Sequence, residues 1–137
     1  MAESGQRVAL VVGVGGLGSA IARRLARDGF AVACADVRAE AADEVSAQIG
    51  AAGGQASAHT VEVTDQTSVE ALIAAVLAAW GVLDVVIYAV GISPRRPWGA
   101  PRLGDTDRAE WERVLAVNLT GAFLLTKAAA DALVQRH

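Results

Sequence analysis

The sequence predicts an α/β fold, a doubly wound parallel sheet with helices on both faces, and three observations carry that prediction. Short apolar runs alternate with helix-period segments four times along the chain. The first run, Val8 to Val12, lacks polar alternation, as a strand buried on both faces does. The first run ends in a glycine-rich turn that opens a helix, the start of a strand–helix–strand unit with its crossover packed on the sheet. Within 137 residues, 53% hydrophobic and 20% charged, a single domain (residues 1–137) with a packed core is expected. A chain of this length buries roughly two thirds of the surface its unfolded form exposes. Twelve basic and fifteen acidic residues give a net charge of -3 without a basic run, which argues against nucleic acid or an anionic membrane as partner. The lone cysteine, Cys34, permits no internal disulfide. With neither a charged-then-apolar leader nor an apolar run of about 18 residues in view, a cytoplasmic protein is expected.

Val8 to Val12 reads as the first strand. After Gly18 the period changes: Ile21, Leu25 and Ala22, Ala26 recur at helical spacing between Arg23, Arg24 and Arg27, and Asp28-Gly29 closes the helix. Ala31 to Ala35 is a second strand ending at Asp36, and Ala39 to Ile49 an alanine-rich helix closed by Gly50 and Gly53-Gly54. Ala56 to Val63 is the third strand. Val69, Leu72, Ile73, Val76 and Leu77 mark an amphipathic helix to Trp80, stopped by Gly81, and Asp84 to Val90 is the fourth strand. From Gly91 to Asp107, Pro94, Pro97, Pro101, Gly99 and Gly104 break the rhythm and predict a long loop. A last helix follows, apolar on more than one side through Trp111, Val114, Leu115, Val117, Leu119, Phe123, Leu124 and Leu125. Such a helix needs two partners, the sheet and a second subunit.

Gly13, Gly15 and Gly18 satisfy G-x-G-x-x-G, and Asp36 stands at the end of the second strand, eighteen positions after Gly18. Glycines permit a tight turn and let the backbone approach a pyrophosphate, while the helix N-terminus offers N–H groups and the positive end of its dipole. Asp36 would accept hydrogen bonds from an adenosine ribose and repel a 2′-phosphate, so NAD is favoured and NADP is less favoured. Arg38, two residues on, could meet a phosphate. The alternative is a tight turn and an aspartate with no ligand. In a Rossmann-type sheet of this kind the expected strand order is 3-2-1-4, which leaves the apolar fourth strand at an edge that a fifth strand or a second chain should cover.

The sequence resembles the short-chain dehydrogenases/reductases from Val8 onward. Gly16-Leu17-Gly18-Ser19-Ala20-Ile21-Ala22 is similar to the family's G-I-G-x-A-I-A, Val61-Glu62-Val63-Thr64-Asp65 to its D-V-T-D, and Trp80-Gly81-Val82-Leu83-Asp84-Val85-Val86 to its F-G-x-L-D-V-L. Trp111 to Phe123 resembles W-x-x-V-x-x-V-N-L-x-G-x-F. The resemblance implies that Gly13, Gly15, Gly16, Leu17 and Gly18 hold the pyrophosphate and Asp36 the adenosine ribose. It puts Glu62 and the Val63 backbone beside the adenine, and Ala89, Val90 and Gly91 near the nicotinamide ribose. Asn118 matches the asparagine that holds a water in the family's proton relay, its alternatives being a cap at a helix kink or a polar spot in a dimer face. The implied reaction is hydride transfer between NAD(H) and an alcohol/carbonyl substrate, with association through the last helix into a homo-oligomer.

Three departures bear on this. The family turn T-G-x-x-x-G-x-G is one residue short here, with Val12 at its first glycine and Gly13 as the substitute. The N-N-A-G stretch reads Tyr88-Ala89-Val90-Gly91, without the asparagine that braces the strand. The family's serine and Y-x-x-x-K, in which lysine lowers the tyrosine pKa, have no counterpart, because the chain has one tyrosine, Tyr88, and one lysine, Lys127. The chain is therefore expected to stop before the fifth strand and to be catalytically silent as written. A non-catalytic dinucleotide-binding or dimerisation module is the alternative. Arg95, Arg96 and Arg102 read as a solvated loop, and Trp98 as a lid or loop packing. Cys34 reads as a small core residue, and His59 and His137 lack metal-ligand spacing, so no metal is expected.

Overall fold

The computed structural model describes residues 5–94 and 102–136. Its elements run β1 (Arg7–Val12), α1 (Gly16–Arg27), β2 (Phe30–Asp36), α2 (Ala39–Ala51), β3 (Ala56–Thr60), α3 (Gln66–Trp80) and β4 (Val85–Tyr88). A single 3-10 turn (Leu103–Asp105), α4 (Arg108–Leu115), a π turn (Ala116–Thr120) and α5 (Gly121–Arg136) complete the chain. The four strands are parallel in the order β3-β2-β1-β4, as the sequence predicts. β1 is central, with Val12 level with Ala35 on one side and Tyr88 on the other.

Alternation of side chains along β1 assigns the two faces. Val8, Leu10 and Val12 join Ala31, Ala33 and Ala35 of β2 against Val69, Leu72, Ile73 and Val76 of α3 and Leu125 and Ala129 of α5. Val11 points the other way, with Val32 and Cys34, against Ala22 of α1 and Ala42, Val45 and Ile49 of α2. Both faces are therefore covered, which is why β1 and β2 read as near-continuous apolar runs. Asp84 closes the entry to β4 by a reciprocal pair with Val8: the Val8 N–H donates to the Asp84 carboxylate (2.7 Å) and the Asp84 N–H to the Val8 carbonyl (2.9 Å).

Several boundaries differ from the sequence reading. α1 begins at Gly16, inside the glycine motif. β3 ends at Thr60 rather than Val63, because after Val61 donates to the Asp36 carbonyl (3.0 Å) the chain turns outward into the Asp65 cap of α3, whose carboxylate accepts from the Thr67 N–H (3.0 Å). β4 is confined to Val85–Tyr88. Gly81 ends α3 with φ +77, the left-handed geometry a helix C-cap takes. The expected last helix is interrupted: at the π turn Gly121 donates to Ala116, five residues back. Arg95, Arg96 and Trp98 lie outside the described residues, and Arg102 is exposed.

The helical stretch Arg108–Gln135 contains an 18-residue window of mean hydropathy 1.3, long and apolar enough by composition to cross a membrane. Leu125 and Ala129 lie buried against the sheet, and the π turn breaks its middle, so part of that apolarity is accounted for by the core. Trp111, Leu119, Phe123 and Val134 are exposed.

On β3, Ser57 Oγ lies 2.9 Å from His59 Nε2 and accepts from Trp80 Nε1 (3.1 Å), giving His59 a structural partner. Burial holds its pKa below the ordinary 6.5. Burial also pushes the Cys34 thiol up to about 11, so at pH 8 it is expected to react with an aromatic disulfide reagent only after urea unfolds the chain; prompt reaction in buffer would contradict its place in the core. Truncating fully buried Leu10 (Leu10→Ala) should cost about 2–5 kcal/mol in urea unfolding, against about 0.5 kcal/mol or less for the exposed Leu103→Ala.

Candidate functional site

β1 and β4 carry their chains to opposite sides of the sheet, and ligands of open α/β sheets bind in the crevice at such a switch point. Here the crevice is walled by the turn after β1. Gly13 has φ +86, and its N–H donates to the Ala35 carbonyl at 2.8 Å. A Cβ at Gly13 would stand 2.8 Å from the Ala89 carbonyl carbon and the Val90 nitrogen, and one at Gly18 would collide with the Gly13 carbonyl oxygen. Gly13 thus does close the shortened turn. Gly15 and Gly16 differ: a Cβ there meets nothing within 4 Å, because both border the open cleft. Beside them no side chain caps α1, and its first turn holds no acidic residue, so its amide end faces the cleft free of a competing anion.

Asp36, at the end of β2, is 8% exposed. One carboxylate oxygen accepts from the Val14 N–H and the other from the Arg38 N–H, both at 3.0 Å, and Arg38 Nε stands 3.5 Å away. These contacts make burial of a carboxylate tolerable and fasten the glycine turn to β2. An ionised carboxylate has about four acceptor positions, so capacity remains toward the cleft that Asp36 lines. Glu62 is exposed, its Oε1 accepting from the Thr64 N–H (3.1 Å) and hydroxyl (2.8 Å).

The cleft has a volume of about 360 Å³. Gly13, Gly15, Gly16, Leu17, Gly18, Asp36, Glu62, Val63, Ala89 and Gly91 all line it, so every cofactor-contacting position named from the sequence comes to one place. Val37, Val61, Ile92 and Val117 line it as well. The first two are neighbours of named residues and could have been added by adjacency. Val117 is brought in by the π turn, which no periodicity announces.

Asn118 sits at the opposite end from Asp36, outside the lining itself. Its Oδ1 accepts from the Ile92 N–H and its Nδ2 donates to the Ile92 carbonyl, each at 2.8 Å. Both amide atoms are thus engaged by the segment after β4, at a break in helical geometry. The Tyr88 hydroxyl donates to the Val117 carbonyl. Burial and, second, the charge of Glu62 raise its pKa above the ordinary 10.0. Tyr88 and Lys127 lie on β4 and α5 and are not four residues apart, so they do not form the family's Tyr/Lys pair.

A profile described as short chain dehydrogenase matches residues 7–137. The chain belongs to that family. Cis-4-hydroxycyclohexanecarboxylate dehydrogenase of Sinomonas cyclohexanicum is 42% identical over 124 residues, 89% of this chain and 47% of its own length. D-threitol dehydrogenase of Mycolicibacterium smegmatis (strain ATCC 700084 / mc(2)155) is 34% identical over 130 residues, 94% of this chain and 48% of its own. A metagenomic short-chain oxidoreductase solved in complex with NADP superposes with a TM-score of 0.85 at 34% identity, covering 95% of this chain and 57% of that one. The chain therefore spans about half the length of the short-chain dehydrogenases it matches.

Tyr88 is the one tyrosine, so tyrosinate absorbance reads this site alone. Its midpoint in the folded chain should lie above that in urea. The unfolded state then ionises first, so the associated stability is complete below pH 10 and is lost as pH rises through the folded midpoint. A folded midpoint at or below the urea value would contradict the packing described.

Proposed function

We propose that these residues form a single dinucleotide-binding domain of an NAD(P)-dependent oxidoreductase acting on a small alcohol/carbonyl substrate, and that NAD is preferred to NADP. The observation that carries this reading is the glycine-lined cleft, where Gly15 and Gly16 leave open the space a side chain would fill beside an uncapped helix N-terminus. A nicotinamide cofactor, when bound, supplies the hydride acceptor or donor. The chain's own part is to bind and orient it. Backbone N–H groups of the turn meet the pyrophosphate, Asp36 accepts from the adenosine ribose, Glu62 and Val63 border the adenine, and Ala89 and Gly91 border the nicotinamide ribose.

The preference for NAD rests on charge. Two carboxylates, Asp36 and Glu62, line the same cleft, and a 2′-phosphate beside Asp36 would meet like charge. Arg38, the cation nearest by, already faces Asp36. The NADP in a solved relative is the observation on the other side. Asn118 serves the proton relay through the turn it anchors, since its amide is engaged by Ile92. Lacking a Tyr-x-x-x-Lys pair, the 137 residues alone bind cofactor without turnover.

The exposed Trp111, Leu119 and Phe123 favour one addition, a second copy packed along α4 and α5. This is also the observation that would favour a purely dimerising, non-catalytic module.

Calorimetry on the 14.0 kDa chain should show NAD binding more tightly than NADP. Asp36→Ala should weaken NAD about tenfold, the worth of a charged hydrogen bond, and narrow the gap between the two. Equal or tighter NADP binding by the unaltered chain would remove Asp36 from this role.

A further inference from the structure

The family's strand-bracing asparagine is absent, and Tyr88-Ala89 stands in that stretch. What holds that end of the cleft instead is visible in the contacts around Tyr88. Its ring enters a space that exists because residue 121 is glycine: a Cβ there would collide with the Tyr88 hydroxyl and lie 3.2 Å from Val63 Cβ. From that slot the hydroxyl donates to the Val117 carbonyl. Val117 belongs to the π turn, where the i to i+5 pattern, seen in Gly121 donating to Ala116, departs from the helical ladder that would otherwise order these carbonyls. The next residue, Asn118, clasps both main-chain groups of Ile92 at 2.8 Å. Tyr88, Val117–Asn118 and Ile92 thus make a closed tie from β4 to the π turn and back to the segment that leaves β4. Val117 and Ile92 both line the cleft.

We propose that Tyr88 is a positioning residue for the far end of the cleft. Its hydroxyl fixes the π turn, and through Asn118 the turn fixes Ile92 and Gly91, the wall that borders the nicotinamide ribose. The inference rests on the dinucleotide reading of the same cleft. It deepens that reading by giving the missing asparagine's task to a tyrosine of β4 that bonds to the π turn. The glycine turn that takes the pyrophosphate is held separately, by Asp36 on Val14 and by Gly13 on Ala35; Val63, beside the Gly121 slot, keeps its packing when only the hydroxyl is lost, so loss of the tie should be felt at the far end.

The test compares NAD, which fills both ends, with ADP, which fills one. In calorimetry Tyr88→Phe should weaken NAD about tenfold, as loss of one hydrogen bond does, with ADP affinity within about twofold. A general loosening of the fold would weaken both ligands together. Asn118→Ala, at an exposed position, removes both bonds to Ile92 without adding charge and carries the same test if Tyr88→Phe fails to fold. It too should lower NAD and spare ADP, and the double variant should lose no more than the weaker single variant, as members of one unit do. Unchanged NAD affinity in the folded variants, or parallel loss of NAD and ADP, overturns the proposal while leaving the cleft's assignment intact. Failure of the unaltered chain to bind either ligand overturns that assignment, and the proposal with it.

Discussion

The arrangement depends on one close approach, that of Gly18 to the Gly13 carbonyl. No side chain fits between them, and because none is present α1 can start at Gly16 directly above the end of β1. Gly13 supplies the other half of the constraint, taking a positive φ while its N–H reaches across to Ala35. Displacing either would move the axis of α1 off the sheet and tilt its amide end away from the crevice. The shortened turn relative to the family pattern is accommodated because Gly13 itself performs the tight turn, with Val14 buried behind it.

The cleft is then held at its two ends by different means. At the β2 end a buried carboxylate accepts two backbone N–H groups, so Asp36 is structural as well as a candidate ligand for ribose. Those functions are compatible because a carboxylate offers more acceptor positions than two N–H groups occupy. At the β4 end the wall is built from neutral groups, Tyr88 on Val117 and Asn118 on Ile92. In the proposed binding mode the negative charge faces the adenosine hydroxyls and the neutral end faces the nicotinamide. This polarity follows from the elements themselves: β2 ends in Asp36, while β4 runs out through Ala89, Val90 and Gly91.

The strands, their order and the residues around the cleft were legible in the sequence because unbroken apolar runs, glycine spacing and a strand-terminal acid each have one physical meaning in this context. Periodicity assigns faces, however, not partners. Nothing local announces that Tyr88 meets a carbonyl 29 positions away, or that Asn118 closes on Ile92 across 26. Gly121 reads in sequence as one more glycine of a helix, and its role emerges only when the Tyr88 ring is seen beneath it. The end of β3 was misread for a related reason: Val61 and Val63 are buried like strand residues, yet they pack from a turn whose hydrogen bonds go to Ser68 and Thr64. The apolar last helix was legible as two-faced but not as interrupted.

The central claim is that a dinucleotide lies across the glycine turn with its nicotinamide end toward Ile92. Backbone amide chemical shifts on addition of NAD test it most directly. The account predicts that the amides of Gly13 to Gly18, Val37 and Ile92 move together on one binding curve, while Gly53 and Gly54, behind the sheet at the end of α2, stay fixed. A saturable response centred elsewhere, or no response at the glycine turn at millimolar NAD, would contradict it.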